Sequence, residues 1–453
     1  MERVNRTLVL LAAGVAYSFA FPPYGWWPLA LMSVGAVTWL LCRTSCRGGW
    51  WLGFIWGMAA FGTGLSWMWN IFGALSIALW GVLALFPALF GWLVALARQR
   101  GCEGAKLVLF VAVAWTGTEF LRCEVMPLRF PWLHLGLALE PWPLVSWIGV
   151  YGLGLLAMLA VSALVLRAWG LVLVVWMVFL LDQVDVPGPG VEIMRVAAVQ
   201  AEGVPPRTYQ ELTDRVPMDV QLIVWPEQSM PTDVRNVKPA ALAAMQEDFK
   251  ARNAVVVFGT QTSLGGARWE NTALTVDGTR VLGAHVKNHP VHLFDDGEKG
   301  ATAQPVSTPL GAIGTPVCFD CDFHDVVRKM TAAGAEFFAV PSMDAVSWSA
   351  RQHVQHSQLF RVRAAENRRW MVVAASSGVS QIINAQGTAT RSLAAMQTGV
   401  IDGEVERRSE LTFYTRAGWL TPWVALGALL VWSAWPPAFS AKGNQQPEPR
   451  LRL

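Results

Sequence analysis

Charge is scarce in this sequence. Asp, Glu, Lys and Arg make up 15% of the 453 residues, against about 25% in an average soluble domain. Residues 7–42, 48–97 and 141–166 contain none of the four. Together with an apolar content of 53%, these gaps exclude both an ordinary soluble protein and a disordered chain. The net charge of +3 is too small to suggest a nucleic-acid partner. Six cysteines in a chain of this length do not make a disulfide scaffold. There is no G-x-S-x-G elbow and no Walker loop, so a serine hydrolase or an NTPase gains no support. No internal repeat or low-complexity segment is present.

What the chain does have is long apolar runs. A charged side chain at a bilayer centre costs about 2.5–3.5 kcal/mol, so uncharged runs of about 20 residues read as membrane spans. Seven are expected near 7–21, 26–42, 52–70, 73–97, 107–122, 143–166 and 168–181, and an eighth near 417–435. The first 21 residues have the charge pattern of a secretory signal, but they lack a convincing A-x-A-like cleavage site and further spans follow at once. Basic residues collect in alternate loops: Arg3 and Arg6, Arg43 and Arg47, Arg98, Arg100 and Lys106, then Arg167. These loops should be cytoplasmic. The loop at 123–142, with Arg129 set against Glu124 and Glu140, fits least well. Seven spans then carry the region after residue 191 to the opposite side, and the eighth returns a tail bearing Lys442, Arg450 and Arg452. The organisation expected is a seven-span bundle over 1–186, a soluble domain over 187–412 that begins with the linker Pro187-Gly188-Pro189-Gly190, and a closing span with its tail over 413–453.

The soluble part reads as α/β. Apolar runs of strand type recur at Met194–Val199, Leu222–Trp225, Val255–Phe258, Ala273–Val276, Ile313–Val317, Phe337–Val340 and Met371–Ala374, with helical stretches such as Ala240–Lys250 and Gln352–Asn367 between them. Polar groups at strand ends mark candidate chemistry. Glu227 follows Leu222–Val224, Lys287 follows Val281–Val286, and Cys318 follows Ile313–Val317. Such a trio suits acyl transfer: the thiol attacks a carbonyl, the carboxylate takes its proton and the ammonium stabilises the oxyanion. Taken singly, each position fits the plainer reading better: a solvated Glu, a non-catalytic Lys, an inert core Cys. A rival constellation joins Cys318 and Cys321 to His324, His353 and His356 as a zinc site or redox pair, though only one C-x-x-C knuckle is present. Cys42 and Cys46, beside a span, read as structural, as do His289 and His356.

Glu, Lys and Cys in this order resemble the nitrilase superfamily. Placed between seven spans and one more, the domain is similar to that of the apolipoprotein N-acyltransferases of the bacterial inner membrane. The resemblance covers nearly the whole chain. It is carried by Phe21-Pro22-Pro23-Tyr24, Phe61-Gly62-Thr63-Gly64, Trp67, Glu119-Phe120-Leu121-Arg122 and Phe130-Pro131-Trp132 in the membrane part. In the soluble part it is carried by Trp225-Pro226-Glu227, Lys287-Asn288-His289, Gln355-His356, Arg363 with Glu366, and Tyr414-Thr415-Arg416.

The resemblance implies a four-layer αββα sandwich on a membrane bundle, with no cofactor and no metal. Cys318 would take an acyl chain from a phospholipid as a thioester, with Glu227 as base and Lys287 as oxyanion partner. The N-terminal amine of a diacylglyceryl-cysteine lipoprotein would then receive it. The domain would sit on the periplasmic face of the inner membrane, in a monomer surrounded by membrane lipids. Several positions depart from the family pattern. Phe319-Asp320 stands where Tyr-Glu is usual, and Asp295 lies in register with a second Glu, with Asp296 and Glu298 close by. The stretch from Lys287 to Cys318 is short, Trp348 is displaced, and Ser376-Ser377-Gly378 replaces an Asn-rich turn. Phe319, Asp320 and Asp295 are the expected supporting residues, and Trp132, Glu119 and Trp348 the expected substrate contacts. A membrane-tethered amidase using water as acceptor, or a catalytically silent lipid-binding homologue, would share these features.

Overall fold

The computed structural model describes residues 2–139, 143–181, 192–235 and 239–434. The proposed linker at 187–190, the boundary at 186, Glu140 and the tail residues Lys442, Arg450 and Arg452 lie outside them. The membrane part comprises α1 (Glu2–Ser18), α2 (Pro28–Leu41), α3 (Cys46–Gly64), α4 (Met68–Phe72), α5 (Leu75–Gln99), α6 (Gly104–Phe120), α7 (Leu135–Ala138), α8 (Val145–Val165) and α9 (Trp169–Leu181). A π-helical turn, Leu121–Val125, prolongs α6.

Three helical stretches among the described residues are long and apolar enough to cross a membrane: Leu75–Gln99, Gly104–Val125 and Val145–Val165. Helix α2 and the C-terminal stretch Gly418–Ala434 are apolar but shorter. At 1.5 Å per residue, about 20 residues are needed for 30 Å of hydrocarbon. The third expected span is displaced from 52–70. Its helix starts at Cys46 because the Ser45 hydroxyl accepts from the Gly48 amide at 3.3 Å. It ends at Gly64, after a Gly-Thr-Gly run with poor helix propensity. Helices α3 and α5 pack backbone to backbone. A Cβ at Gly53 would run into the Pro87 carbonyl, and one at Gly91 into that of Gly49, the small-residue contact typical of helices in lipid. Outward-facing Met32, Leu173, Met177 and Val174 remain exposed, as a lipid-facing surface requires.

The soluble domain is built on two six-stranded sheets. Its strands are β1 (Ile193–Gln200), β2 (Leu222–Val224), β3 (Val255–Gly265), β4 (Arg268–Val276), β5 (Val281–Val286), β6 (Val306–Thr308), β7 (Gly311–Gly314), β8 (Phe337–Ser342), β9 (Met371–Ala375), β10 (Ser380–Ile383), β11 (Ala389–Leu393) and β12 (Gly399–Glu406). Its helices are α10 (Pro206–Thr213), α11 (Pro239–Arg252), α12 (Val326–Ala332) and α13 (Ala350–Asn367). The strand orders are β12-β1-β2-β3-β4-β5 and β11-β10-β9-β8-β7-β6. Strand alternation sends Val196, Val224 and Val257 of the first sheet against Phe337, Ala339 and Val372 of the second. The opposite face of the first sheet is covered by Leu212, Met245 and Phe249 from α10 and α11. The opposite face of the second is covered by Val326, Met330 and Phe360 from α12 and α13. These are the four layers α, β, β, α, the nitrilase-like sandwich. The chain then passes α14 (Phe413–Arg416) and rejoins the bundle through α15 (Thr421–Ala434).

Candidate active site

Glu227, Lys287 and Cys318 stand at one end of the two sheets. Glu227 follows β2, and the turn that carries it lies flat on β3 because position 259 is Gly: a Cβ there would approach the Glu227 Cα at 2.5 Å. Lys287 follows β5. Its Nζ donates to Glu227 Oε1 at 2.8 Å and to Asp296 Oδ2 at 2.7 Å, with all three side chains buried. Asn271, on β4, clamps the same two carboxylates, donating to Glu227 Oε1 at 2.6 Å and to Asp296 Oδ1 at 2.8 Å. Glu227 Oε2 is buried with no hydrogen-bond partner, so it is the oxygen free to accept a proton.

Cys318 opens a 3-10 turn, Cys318–Cys321, at φ +47°. A non-glycine residue held in this left-handed region stores about 1–3 kcal/mol. Asp320 holds the turn in place. Its Oδ1 accepts the Asn288 and His289 amides at 2.8 Å each. Its Oδ2 accepts the Val317 amide at 3.1 Å and lies 3.0 Å from His285 Nε2. The Cys318 turn is thereby fastened to the strand end that carries Lys287. The thiol donates to the Met343 carbonyl at 3.4 Å.

The electrostatics follow from burial and from these partners. Burial pushes the Cys318 thiol well above its ordinary range, and the Glu227 charge adds to this against the pull of Lys287. The resting Cys318 side chain is therefore a neutral thiol, which would need a base before it could attack a carbonyl. Burial also raises the Glu227 carboxyl, opposed by Lys287 and reinforced by Asp296. Burial acts to lower Lys287, but the charges of Glu227 and Asp296 overcome it and hold the ammonium well above its usual value. For Asp320, burial is outweighed by its bond to His285, by the charges of His285 and His289 and by the Val317 amide, and its carboxyl titrates below the usual range.

Cys318 lies where two cavities meet. One is an apolar groove of about 870 Å³ that passes Phe319, Phe130 and Trp132 to Leu79 and Leu83 on α5. The other, of about 470 Å³, is the more polar of the two, with Glu227, Lys287, Asp295 and Asp296 set among the apolar Val291, Phe294, Met343 and Trp348. Both are bordered by Val291, Phe294 and Trp348.

With this geometry in view, the relatives are informative. A family model described as the apolipoprotein N-acyltransferase N-terminal domain matches residues 13–164, and one described as carbon-nitrogen hydrolase matches residues 195–410. The apolipoprotein N-acyltransferase of Vibrio parahaemolyticus is 25% identical over 95% of this chain and 97% of its own length. That of Pseudomonas aeruginosa is 27% identical over 93% and 96%. The chain belongs to the apolipoprotein N-acyltransferase family. Among solved structures, an amidase from Nesterenkonia sp. aligns at 21% identity with a TM-score of 0.41, covering 52% of this chain and 95% of that one.

Family motif residues from the two halves meet at their junction. Trp67 Nε1 donates to Gln355 Oε1 at 2.9 Å, and Gln355 donates to the Gly64 carbonyl at 3.1 Å. Glu366 Oε1 accepts the Val150 amide at 2.8 Å. Trp132 Nε1 donates to Asp322 Oδ2 at 2.6 Å, and its ring stacks on His356. His356 bridges Asp344 at 2.7 Å and Asp322 at 3.0 Å. Burial works against its charge, but the two carboxylates raise the imidazole to about 10.

Two expectations need correction, and one rival reading falls away. The carboxylate beside Lys287 is Asp296, one position later than Asp295: the short Asp side chain reaches Nζ from a turn closed by the Val291 amide on Asp296 Oδ2 at 2.8 Å. Asp295 is exposed and accepts from Trp269 Nε1 at 3.2 Å. Glu119 does not border the groove. It is buried in the bundle, where its carboxylate accepts the Leu135 amide at 2.8 Å and so caps α7. The zinc or redox constellation does not assemble, because Cys321 packs into the core with Val326 and Met330 and His356 is engaged by two carboxylates. Asn271 went unnoticed in the sequence. A polar residue leading the apolar run Ala273–Val276 was its one signal.

Proposed function

We propose that this membrane protein transfers an acyl chain from a phospholipid to the N-terminal amine of a diacylglyceryl-cysteine lipoprotein, by way of a thioester on Cys318. The observation that carries this reading is the apolar groove linking a buried thiol to α5, a helix long enough to cross the bilayer. A donor can keep its tails in lipid while its ester carbonyl reaches Sγ.

In the first half-reaction the Cys318 sulfur attacks the ester carbon as Glu227 takes the thiol proton. Lys287 stabilises the tetrahedral oxyanion. Collapse expels the lysophospholipid alkoxide, which receives the proton from Glu227. In the second, the acceptor amine attacks the thioester and loses a proton to Glu227. The C–S bond breaks, the thiolate is reprotonated and an amide is released. The shared covalent intermediate implies ping-pong kinetics.

Asp320 positions the nucleophile turn, and Phe319, Trp132 and Trp348 border the chain's path. The chain divides into a bundle over 1–186, the catalytic domain over 187–412 and a closing segment over 413–453. Eight spans, with the domain on the periplasmic side of a bacterial inner membrane, suit the distribution of basic residues. The enzyme acts as a monomer. Incubation with phospholipid and a synthetic diacylated lipopeptide should yield triacylated peptide and lysophospholipid. Free fatty acid without triacylated peptide would identify an amidase-type hydrolase instead.

A further inference from the structure

We propose that the polar cavity beside Glu227 and Lys287 is a separate door for the acceptor's α-ammonium group, and that Asp295 at its rim is the residue that selects it. The inference rests on the acyl-transfer reading above. In the acyl-enzyme the apolar groove is filled by the chain esterified to Cys318, so the second substrate's amine needs another approach to the thioester carbon. The polar cavity supplies one, because it also reaches Cys318. Phe294 and Trp348, with ring centroids 5.6 Å apart, form the partition between the two spaces. Asn70 of α4 holds this partition by donating to the Trp348 carbonyl at 3.1 Å.

The chemistry of the walls fits a cationic amine. Three carboxyl groups, Glu227, Asp295 and Asp296, face a single ammonium, Lys287. Lys287 is engaged by Glu227 and Asp296. Asp295 is exposed, and its bonding partner is the neutral indole of Trp269. Deeper in the same cavity, Glu227 Oε2 is buried without a partner, at the place where the amine must surrender its proton. An α-amino group with a pKa of about 7.7–8.0 arrives largely protonated at neutral pH. Asp295 would draw it in, one proton would leave to bulk water through the mouth of the cavity, and the neutral amine would then attack and pass its second proton to the Glu227 oxygen, which returns it to the departing thiolate. Exposed Leu293 and Phe294 beside the mouth offer an apolar rim for the acceptor's own tails.

An ammonium could also come from the headgroup of an amine-bearing donor, and the test separates the two sources. The full-length protein in detergent is assayed with a synthetic diacylated lipopeptide as acceptor and either phosphatidylglycerol or phosphatidylethanolamine as donor. With both donors, Asp295→Asn should raise the acceptor KM by up to about fivefold, the scale of a partly exposed ion pair. Asp295→Lys should raise it further, and Asp295→Glu should restore it. The increase should shrink at high salt, while the donor KM and the burst of lysophospholipid stay unchanged. Glu404→Gln, an exposed carboxylate on β12, should move neither constant. Unchanged acceptor KM in both Asn and Lys variants would overturn the inference and leave the acyl-transfer reading standing. So would an effect confined to the donor KM with phosphatidylethanolamine. Failure of the wild type to make triacylated peptide from either donor would overturn both.

Discussion

Lys287→Met removes the charge at the centre of the site while keeping an unbranched side chain of nearly the same length. Its Nζ touches Glu227 Oε1 at 2.8 Å and Asp296 Oδ2 at 2.7 Å, so those two oxygens lie no farther apart than the sum, 5.5 Å. Without the cation, two ionised carboxylates at that separation repel by about 3 kcal/mol at an effective dielectric of about 20. The pair relieves this by retaining a proton, and a protonated Glu227 cannot serve as base. Loss of the oxyanion partner alone costs about 10²–10³ in rate. The burst of lysophospholipid, followed by rapid quench and mass spectrometry, should therefore slow by about 10³ or more. Removing one partner from a buried ion cluster also costs about 3–5 kcal/mol of stability, and the thermal midpoint in detergent should fall. Adding Asp296→Asn to Lys287→Met removes the repulsion; it should recover much of the midpoint and none of the rate. A Lys287→Met burst within tenfold of wild type, or a double variant that regains activity, would refute the role assigned to this ammonium.

Two further outcomes follow from the same electrostatics. The Asp296 charge helps to hold the Glu227 carboxyl up, so Asp296→Asn should let Glu227 ionise at lower pH. The acid limb of the pH–rate profile should then move to lower pH, whereas a limb that stays put or moves up contradicts the coupling. The His356 imidazole is raised from about 6.5 to about 10 between Asp322 and Asp344. Its contribution to stability is fully present below pH about 6.5 and is lost as the pH climbs through about 10. Thermal midpoints of the wild type should fall across that window, and those of His356→Gln should fall less steeply.

Much of the fold was legible because hydrophobic patterning is written locally along the chain. Uncharged runs located the helices, and α2, α5 and α8 begin and end within two residues of the expected spans. The start of α3 was missed because apolarity alone does not register a capping Ser45. Short strands such as β6 and the exposed β11 carry too little hydrophobic patterning to be seen. Strand ends led to Glu227, Lys287 and Cys318, since the end of a buried strand is where a polar group meets a cavity. The supporting carboxylate was placed one position early, at Asp295, because counting along a chain ignores how a turn bends. The contacts of Trp132 with Asp322 and of Trp67 with Gln355 join residues 190 and 288 positions apart, which no local pattern encodes. Glu119 reads as a substrate contact for the same reason: the amide it caps belongs to a different element.

The claim on which the rest depends is covalent chemistry at one sulfur. Mass spectrometry of the purified protein after incubation with a phospholipid of defined chain length tests it directly. The account predicts that chain's acyl mass on the Cys318 peptide, released by hydroxylamine, discharged by a diacylated lipopeptide and absent in Cys318→Ala. A wild-type protein that makes triacylated peptide with Cys318 never acylated, or an adduct that survives Cys318→Ala, would contradict it.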